Sequence, residues 1–580
     1  MRLIELSANQ ESFNTISFNR TGLSLILALQ KVDDAQKTYN STGKSLSIAL
    51  THFCLGSNSI KHLEKHLPGW EFSLTFEVNG VEYTSRRATD KQNHIFLNDT
   101  KYRLADFNEF LFELLFEPVN DLGSISFRSL ISRFIRSGKK SYANATSFID
   151  EERPYAELVN NTYLLGLDPK LVFDKYRLKK DLDEATSFNK NFVNKPEFQR
   201  LISDSGGGKS LDITIRNLKD VKERLQRSLD TFVVADDYHL IRQEADDFAR
   251  LIAERQNEIT RLQNAVKNIE VTLALRKDVA VDKVFRLYEE AQVELPDMLK
   301  KNVQEVERFH KALLSDRTNR LTKEQQQFEK QIQQLTEEIT SLGEQQGKRL
   351  QMLKGKGALD QYMALSQKQA ETEEKLQRYE LFREITNQQK NKITEIEIGL
   401  KASNIAANNY LADTAMPILE GNISLFQSIV RQCYDDKSAG IEIENNDGNN
   451  QIRFNINPFI DSDGGGGINK VKIFCFDWTL LLAQHCHKVK FIWHDSLIFE
   501  GVDPRQRATL LKFAYEESEK RGIQYIIALN EDEFEAARKD LEALEPGLPE
   551  KILKCRVLEL TDESDAKKLL GVYVEMNLGR

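Results

Sequence analysis

The pattern of hydrophobic and polar positions divides the 580-residue chain into three parts. Both ends contain short apolar runs, some of them alternating with polar residues, together with helical stretches, which is typical of a mixed α/β fold. In the middle, apolar residues recur at steps of three and four, which predicts long helices in a coiled coil. We therefore expect an N-terminal part over 1–205, a coiled-coil hairpin arm over 206–404 and a C-terminal part over 405–580.

The predicted arm carries two seams of apolar residues, at 245–273 and at 328–342, with Glu, Lys, Arg and Gln between them. Glycines between 343 and 357 interrupt the pattern after the second seam, and Pro296 predicts a break in a helix. We expect a hairpin that folds back on itself with unequal arms, about 130 residues outward and 45 back. The pattern leaves the position of its apex open.

Two stretches outside the arm predict β-hairpins. The first, "WEFSLTFEVNGVEYTSRRAT" at 70–89, contains two alternating runs joined by Asn-Gly. The second, "GIEIENNDGNNQIRFNINPF" at 440–459, has a similar alternation around a polar turn. Strand signals therefore occur on both sides of the arm, as a mixed α/β fold requires.

Composition and charge narrow the classes of function. The formal net charge of −9 argues against a protein covered with basic surface, although it is compatible with a local basic groove. The five cysteines form no CxxC pair, which disfavours a disulfide framework or a zinc site and favours a reducing compartment. No stretch approaches the about 18 apolar residues of a membrane span. We expect a cytoplasmic protein without a membrane partner.

The stretch "YNSTGKSLSIAL" at 39–50 contains the second half of a phosphate-binding loop. Gly43, Lys44 and Ser45 stand where such a loop requires them, but Thr38 occupies the position of its first glycine. A GKS tripeptide alone is a weak signal, because it occurs by chance in many proteins. The C-terminal part adds a second signal, since the apolar run "VKFIWHD" ends at Asp495.

A phosphate-binding loop, a coiled-coil excursion and an acid-tipped strand, in this order, resemble the ABC-type ATPases of the SMC and RecN kind. More narrowly, "KIFCFDWTLLL", "WHDSLIFEGVDPRQ", "YIIALNEDEF" and "LYEEAQVELPDMLKK" resemble the bacterial YydD-like ATPases of three-component ABC systems. The resemblance covers nearly the whole chain. It implies an ABC-type P-loop ATPase head assembled from the N- and C-terminal halves, with an inserted antiparallel α-helical coiled coil.

The resemblance implies ATP and Mg²⁺ as cofactors of this head. Backbone N–H groups of the loop, at a helix N-terminus, would hold the β-phosphate. Lys44 would supply positive charge to the β- and γ-phosphates, while Ser45 and Asp495 would give oxygen ligands to Mg²⁺. The nucleotide-binding residues expected in the loop are Asn40, Ser41, Thr42, Gly43, Lys44 and Ser45.

Four residues after Asp495 bear on the rate of hydrolysis. Ser496 stands where ABC ATPases usually carry a glutamate that polarises water, and a hydroxyl cannot act as a base at neutral pH. Asn530 stands where a switch histidine is expected, and it can hydrogen-bond a γ-phosphate without carrying a proton. Asp503 falls near the D-loop aspartate, and Glu500 is a second candidate for positioning water. We expect hydrolysis that is slow or depends on a partner.

A run of four glycines, Gly464, Gly465, Gly466 and Gly467, precedes a predicted helix where the ABC signature is expected. In the family, this segment reaches the γ-phosphate that the opposite subunit binds. The run lacks the Ser-Gly-Gly order, since Ser462 comes two residues early, and a mobile loop without a ligand is the alternative. If the run is functional, two heads must meet to enclose two nucleotides, which predicts a homodimer.

Two classes of function remain open. The first is an SMC-like ATPase that senses double-stranded DNA and controls partner proteins, a middle component and an effector, in bacterial defence against phages or plasmids. The second is a nucleotide-gated scaffold with negligible hydrolysis and no direct DNA contact, which Ser496 favours. The basic clusters "SGKKS" and "RLQMLKGKG" do not distinguish these two classes, because such runs occur both in contact with DNA phosphates and on solvated surfaces.

Overall fold

The computed structural model shows a mixed α/β structure with long helices, which confirms the predicted fold class at that level. It describes residues 1–30, 42–119, 125–148, 152–204, 211–232, 236–279, 298–352, 359–461 and 465–574. The strands are β1 (Arg2–Ala8), β2 (Ile16–Ser17), β3 (Gly22–Leu29), β4 (Glu71–Val78), β5 (Val81–Ala88), β6 (His94–Leu97), β7 (Thr100–Arg103), β8 (Ala439–Asn445), β9 (Phe454–Ile460), β10 (Phe491–Asp495), β11 (Gln524–Asn530) and β12 (Arg556–Thr561).

Helices connect these strands and form the whole middle of the described chain. They are α1 (Lys44–Cys54), α2 (Lys61–His66), α3 (Leu104–Leu115), α4 (Phe127–Ile131), α5 (Pro154–Leu164), α6 (Pro169–Val193), α7 (Pro196–Asp204), α8 (Leu211–Asp230), α9 (Asp236–Val279), α10 (Met298–Met352), α11 (Leu359–Asn409), α12 (Met416–Cys433), α13 (Gly466–Ala483), α14 (Pro504–Arg521), α15 (Glu531–Leu544) and α16 (Leu548–Lys554). Short 3₁₀ helices cover Lys139–Tyr142, Ser496–Phe499 and Asp565–Lys567, and a π-helical turn covers Tyr410–Thr414. Of the helices described, none combines the length and the apolar character that a membrane span needs.

Contacts between residues divide the chain into two units. The first contains Met1–Lys179, Phe285–Glu305 and Leu400–Arg580, and the second contains Lys180–Val284 and Val306–Gly399. The strands β1 to β12 all belong to the first unit, while the second unit is helical in its described parts. The first unit is therefore built mainly from the two ends of the sequence.

A four-stranded parallel sheet in the first unit has the order β10-β11-β3-β12. β3 reads "GLSLILAL" and is buried at every position, as expected for a parallel strand that is covered on both faces. It pairs with β11 through Leu25 and Ile527, and with β12 through Leu27 and Glu559. The carboxyl ends of these strands therefore meet at one edge, where open α/β sheets bind ligands.

The two predicted hairpins are confirmed. The stretch at 70–89 forms β4 and β5, which are part of a six-stranded antiparallel sheet in the order β2-β1-β4-β5-β6-β7. Asn79 and Gly80, between these strands, have φ angles of 53° and 80°, a left-handed conformation that the Asn-Gly pair allows. The stretch at 440–459 forms the antiparallel pair β8 and β9.

The second unit contains antiparallel helix pairs, as the coiled-coil pattern predicts. Glu244 of α9 forms an ion pair with Arg349 of α10 at 2.7 Å, and Arg255 forms one with Glu338 at 3.0 Å. From Glu244 to Arg255 the residue number increases along α9, while that of the partner in α10 decreases from 349 to 338. The two helices therefore run in opposite directions. Among the seam positions of α9, Ala245, Leu262 and Ile269 are buried and the others are half-buried.

The arms are more equal in length than the sequence suggested. Lys222 of α8 pairs with Glu373 of α11 at 2.7 Å, so α8 and α9 run outward while α10 and α11 return. Gly343 and Gly347 lie inside α10 rather than at a turn. A 55-residue helix tolerates them, although each costs about 1 kcal/mol relative to alanine. Pro296 lies outside the described residues.

His487 gives the first unit a predictable sensitivity to acid. Its Nε2 lies 3.0 Å from the Leu480 carbonyl oxygen, and its Nδ1 accepts the Val489 N–H at 3.2 Å, so the neutral ring satisfies both contacts. Burial lowers the pKa of this imidazole to about 4. Because the folded pKa lies below the unfolded value of about 6.5, the contribution to stability is present above that value and is lost as the pH falls toward 4.

We expect His487 to account for about 3 kcal/mol of the decrease in the free energy of unfolding between pH 7 and pH 4. Urea unfolding at several pH values measures this decrease. His487→Gln should make the pH dependence shallower, while His62→Gln, at an exposed position of α2, should keep it as in the wild type. Equal slopes for His487→Gln and the wild type would contradict the prediction.

Candidate functional site

The end of the predicted phosphate-binding loop lies at the start of α1. Gly43 precedes the helix with a φ of 109°, and a Cβ there would lie 2.5 Å from the Cβ of Leu569. The Leu569 N–H donates to the Thr42 carbonyl oxygen at 3.0 Å. Glycine is therefore required at 43 by both backbone conformation and space. A segment that follows β12 fixes the loop where the helix begins.

The structure brings Lys44, Ser45, Asp495 and Asn530 together at the edge of the parallel sheet. The Ser45 hydroxyl donates to Oδ2 of Asp495 at 3.1 Å, and the Lys44 ammonium donates to Oδ1 of Asn530. This follows from the strand order, in which β11 lies between β10 and β3. β10 ends at Asp495, β11 ends at Asn530, and β3 precedes α1 in the sequence. The side chains come from positions up to 486 residues apart in sequence.

Ser45 and Asp495 fit a magnesium ion. Mg²⁺ prefers oxygen ligands and usually takes one or two carboxylates from the protein, with the remaining positions filled by phosphates and water. A hydroxyl oxygen and a carboxylate oxygen 3.1 Å apart can occupy adjacent positions of such a shell. The carboxylate is also held in place, because its Oδ1 accepts the Ser496 N–H at 2.7 Å.

Lys44 carries its positive charge in a largely buried place, with 7% of its surface exposed. Burial lowers the pKa of the ammonium, and the carboxylates of Asp495, Glu533 and Asp532 oppose this shift. An anionic phosphate at this point would stabilise the charged form further, because it adds an opposite charge in a poorly solvated site. The electrostatics therefore suit a phosphate ligand.

Glu533 belongs to this site although the sequence analysis did not select it. Its Oε2 accepts the backbone N–H of Asn530 at 2.9 Å, which holds the residue that contacts Lys44. Burial raises the pKa of Glu533, and the charges of Lys44 and Arg507 counteract the rise. The signal was present in "NEDE", since a glutamate three residues after an asparagine is typical of a helix start.

The three remaining catalytic candidates differ in their surroundings. Ser496 is partly buried directly beside Asp495 and begins the 3₁₀ helix Ser496–Phe499. Glu500 is exposed, 4.0 Å from the ammonium of Lys139. Asp503 is exposed and caps α14, with its Oδ1 accepting the Arg505 N–H at 3.0 Å; hydrogen bonds from Arg505 lower the pKa of this carboxyl. The carboxylate of Asp503 is thus held by its own helix.

The glycine run starts α13 and packs against the segment that leads to Asp503. A Cβ at Gly467 would lie 2.4 Å from the carbonyl oxygen of Gly501, so a side chain at 467 would push the two segments apart. Gly465 and Gly466 are exposed at the start of the helix. The glycine run and residues 500–503 therefore form a second group. Residues 496–499 connect it to Asp495, which belongs to the first group, formed by Lys44, Ser45, Asp495 and Asn530.

Three of the residues predicted to bind nucleotide, Asn40, Ser41 and Gly464, lie outside the described residues. For Thr42 the structure shows a buried side chain and a carbonyl oxygen bound by the Leu569 N–H. The role of these four residues toward a nucleotide stays a prediction.

A buried ionic group next to Asp495 was also missed by the sequence analysis. The Arg136 guanidinium donates to Asp477 at 2.6 Å, and His494 Nε2 lies 3.0 Å from the same carboxylate. All three side chains are 0% exposed. The signal was a polar, titratable residue inside each apolar run, Asp477 in "IFCFDW" and His494 in "FIWHD", since buried polar side chains almost always have a hydrogen-bond partner.

A comparison with protein families matches only the C-terminal part of the chain. The model described as "Uncharacterised protein conserved in bacteria (DUF2326)" matches residues 429–574, a quarter of the chain. The matched segment includes the glycine run, Asp495 and Asn530, but not the loop before α1. No curated protein matches the chain.

Solved structures similar to the chain include Smc head domains. One, with a coiled coil and joint, from Pyrococcus yayanosii, is 14% identical, with 93% of both chains covered and a TM-score of 0.35. A second, with an extended coiled coil and bound to the C-terminal domain of ScpA, from Pyrococcus furiosus, is 13% identical, with 93% of this chain and 91% of that chain covered and a TM-score of 0.31. An SmcHead bound to the C-winged helix domain of ScpA is 9% identical, with 93% and 92% covered and a TM-score of 0.33. At these TM-scores the similarity assigns no role to any residue, so the predicted roles of Lys44, Ser45, Asp495 and Asn530 are argued from their own geometry.

Proposed function

We propose that this protein is an SMC-like ABC ATPase that binds ATP and Mg²⁺. One observation carries the proposal: the Ser45 hydroxyl lies 3.1 Å from the carboxylate of Asp495, across 450 positions of sequence, next to the buried cation of Lys44. A hydroxyl, a carboxylate and a cation, at the start of a helix and at the ends of parallel strands, suit a triphosphate with its metal ion.

Each residue of the site has a separate task in this proposal. Lys44 would exchange its hydrogen bond to Asn530 for contacts with the β- and γ-phosphate oxygens. Asn530, whose backbone Glu533 holds, would then be free to donate its side-chain amide to the γ-phosphate. Ser45 and Asp495 would hold Mg²⁺, which when bound supplies positive charge that offsets the charge on the phosphate oxygens.

Calorimetric titration of the full chain with ATP, with magnesium and with EDTA, tests the proposal. We expect binding in both conditions and a higher affinity with magnesium. The absence of binding in both conditions, checked by competition with a fluorescent ATP analogue, would overturn it.

We infer in addition that ATP joins two copies of the chain through their heads. Gly465 and Gly466 are exposed at the start of α13, and the next residue, Gly467, packs against Gly501 in the segment that ends at Asp503. In the ABC ATPases that this chain resembles, a segment at this position closes over a nucleotide held by the other copy. Exposed glycines permit the close backbone approach that such a contact requires.

Gly466→Leu is expected to weaken the ATP-dependent dimer by about tenfold or more, because the new side chain would stand between the two heads. Among the described residues nothing lies within 4 Å of a Cβ at Gly466, so the monomer should accept the leucine. Gly421→Leu in α12 is the matched control, since its Cβ is equally clear of described atoms. Light scattering with ATP measures the effect, and a dimer that tolerates Gly466→Leu would speak against this interface.

We propose further that the protein acts in the cytoplasm with a middle component and an effector in bacterial defence, and that it senses double-stranded DNA. The support is the resemblance of its motifs to the YydD-like ATPases of three-component ABC systems. ATPase rates with and without linear duplex DNA test the DNA part of this proposal. An unchanged rate would favour a role without DNA.

The second candidate is a nucleotide-gated scaffold, and the observation that favours it is Ser496. This hydroxyl occupies the position directly after Asp495, where it can orient water but cannot accept a proton. A head that binds ATP and hydrolyses it negligibly would hold its partners in one arrangement for as long as ATP stays bound. Turnover by the complete assembly, compared with turnover by the isolated chain, separates the two candidates.

A further inference from the structure

We propose that Tyr142 is a positioning residue that holds Asp495 in place and connects it to the helix that begins at the glycine run. The proposal rests on the proposed magnesium-dependent binding of ATP. It assigns a role to a residue that touches neither nucleotide nor metal, and that acts through the backbone of a proposed metal ligand.

The first contact is made by the Tyr142 hydroxyl. Tyr142 ends the 3₁₀ helix Lys139–Tyr142 and is 1% exposed. Its hydroxyl oxygen accepts the backbone N–H of Asp495 at 2.8 Å. This N–H is three bonds from the carboxylate carbon, so a shift of the backbone at this point moves the carboxylate that faces Ser45.

The second contact joins the same tyrosine to the start of α13. The Lys470 ammonium donates to the Tyr142 carbonyl oxygen at 2.9 Å, and it lies 5.4 Å from the centre of the Tyr142 ring. The neighbouring Asn469 donates to the Ala143 carbonyl oxygen at 2.7 Å. Asn469 and Lys470 come two and three residues after Gly467, so the first turns of α13 are bound to the segment that carries Tyr142.

The buried ionic group makes this connection stiff. Asp477, further along α13, binds Arg136 and also His494, which precedes Asp495 on β10. The helix is therefore attached to β10 at two levels, by Asp477 to His494 and by Lys470 through Tyr142 to Asp495. We infer that a displacement of α13 at its start reaches the proposed magnesium ligand, because the bonds of Asp477 and of the Tyr142 hydroxyl are buried and that of Lys470 is half-buried.

A mild substitution can test the role of the hydroxyl. Removing a charge from the Arg136–Asp477 pair would leave the other charge buried alone and would endanger the fold. Tyr142→Phe removes only the oxygen that holds Asp495. The matched control is Tyr163→Phe. Tyr163 is 2% exposed, and its hydroxyl donates to the carbonyl oxygens of Glu117 and Cys486 at 2.8 and 2.9 Å. Neither of these two hydrogen bonds involves Asp495.

The experiment measures binding of a fluorescent ATP analogue to the full chain, first in EDTA and then during a magnesium titration. For Tyr142→Phe we expect wild-type affinity in EDTA and a rise of about three- to tenfold in the half-saturating magnesium concentration, the effect of one hydrogen bond. Tyr163→Phe should match the wild type in both measurements. Thermal unfolding of both variants shows whether each is folded.

The outcomes separate the two proposals. If the wild type does not bind the analogue, the proposed function fails, whatever the variants do. If the wild type binds and Tyr142→Phe has the wild-type half-saturating magnesium concentration, or if Tyr163→Phe shifts equally, the positioning role is overturned. Should Tyr142→Phe not fold, Lys470→Met removes the link from the helix side, and an unchanged magnesium requirement in that variant would overturn the connection to α13.

Discussion

Lys44→Met is expected to reduce the affinity for ATP by at least about a hundredfold. A unit charge about 4 Å from a phosphate contributes about 4 kcal/mol at an effective dielectric constant of 20, and each 1.4 kcal/mol is a factor of ten in affinity. Methionine keeps most of the volume of the side chain, so the change removes the charge and the hydrogen bond to Asn530 rather than the packing. Calorimetry with and without magnesium measures the loss.

The matched control for this prediction is Lys512→Met in α14. Lys512 is half-buried, and its ammonium lies 3.6 Å from Glu516 of the same helix. We expect this variant to bind ATP like the wild type. Wild-type affinity in Lys44→Met, with both variants folded, would show that the loop before α1 does not bind phosphate.

Ser496→Glu is expected to accelerate ATP hydrolysis by about 10²–10⁴-fold, the usual contribution of a positioned base. The wild type should turn over at less than about 1 s⁻¹, below the range typical of enzymes. The reason is geometric. Ser496 follows Asp495 directly, and its N–H donates to the Asp495 carboxylate at 2.7 Å, which fixes the backbone at 496. A glutamate at 496 would therefore extend from an ordered backbone beside the proposed metal ligand. Phosphate release under saturating ATP measures the rate.

Ser496→Gln distinguishes a base from a larger side chain, because glutamine has nearly the size of glutamate and accepts no proton at neutral pH. It should hydrolyse ATP as slowly as the wild type. Rapid hydrolysis by the wild type that is lost in Glu500→Gln or Asp503→Asn would instead locate the missing carboxylate in one of these two residues. Rapid hydrolysis that survives both substitutions would contradict the proposed roles in the site.

The local features of this structure were predictable from the sequence, because they depend on a few neighbouring residues. The turn at Asn79 and Gly80 follows from the left-handed backbone that this pair accepts. The start of α1 at Lys44 follows from the GKS motif, and the buried β10 follows from an apolar run that ends at Asp495. The antiparallel helix pairs follow from the period of the apolar positions.

Features that depend on the pairing of distant segments were not predictable in the same way. The position of β11 between β3 and β10 places Asn530 against Lys44, and no local pattern encodes this order. The predicted lengths of the two arms were wrong because the glycines suggested a turn. In the structure, Gly343 and Gly347 lie inside the long α10, which packs against α9. Likewise, the partners of Asp477 became evident only with the tertiary structure.

During synthesis on the ribosome, β3 is made about 500 residues before the strands on either side of it, β11 and β12. At roughly 5–20 residues per second, roughly 25–100 s therefore pass between the synthesis of "GLSLILAL" and that of the strands that pair with it. An uncharged, β-prone strand with free edges readily pairs with other chains. We therefore expect the nascent protein to need chaperone protection until its last strands emerge, and a chain truncated before β11 to aggregate.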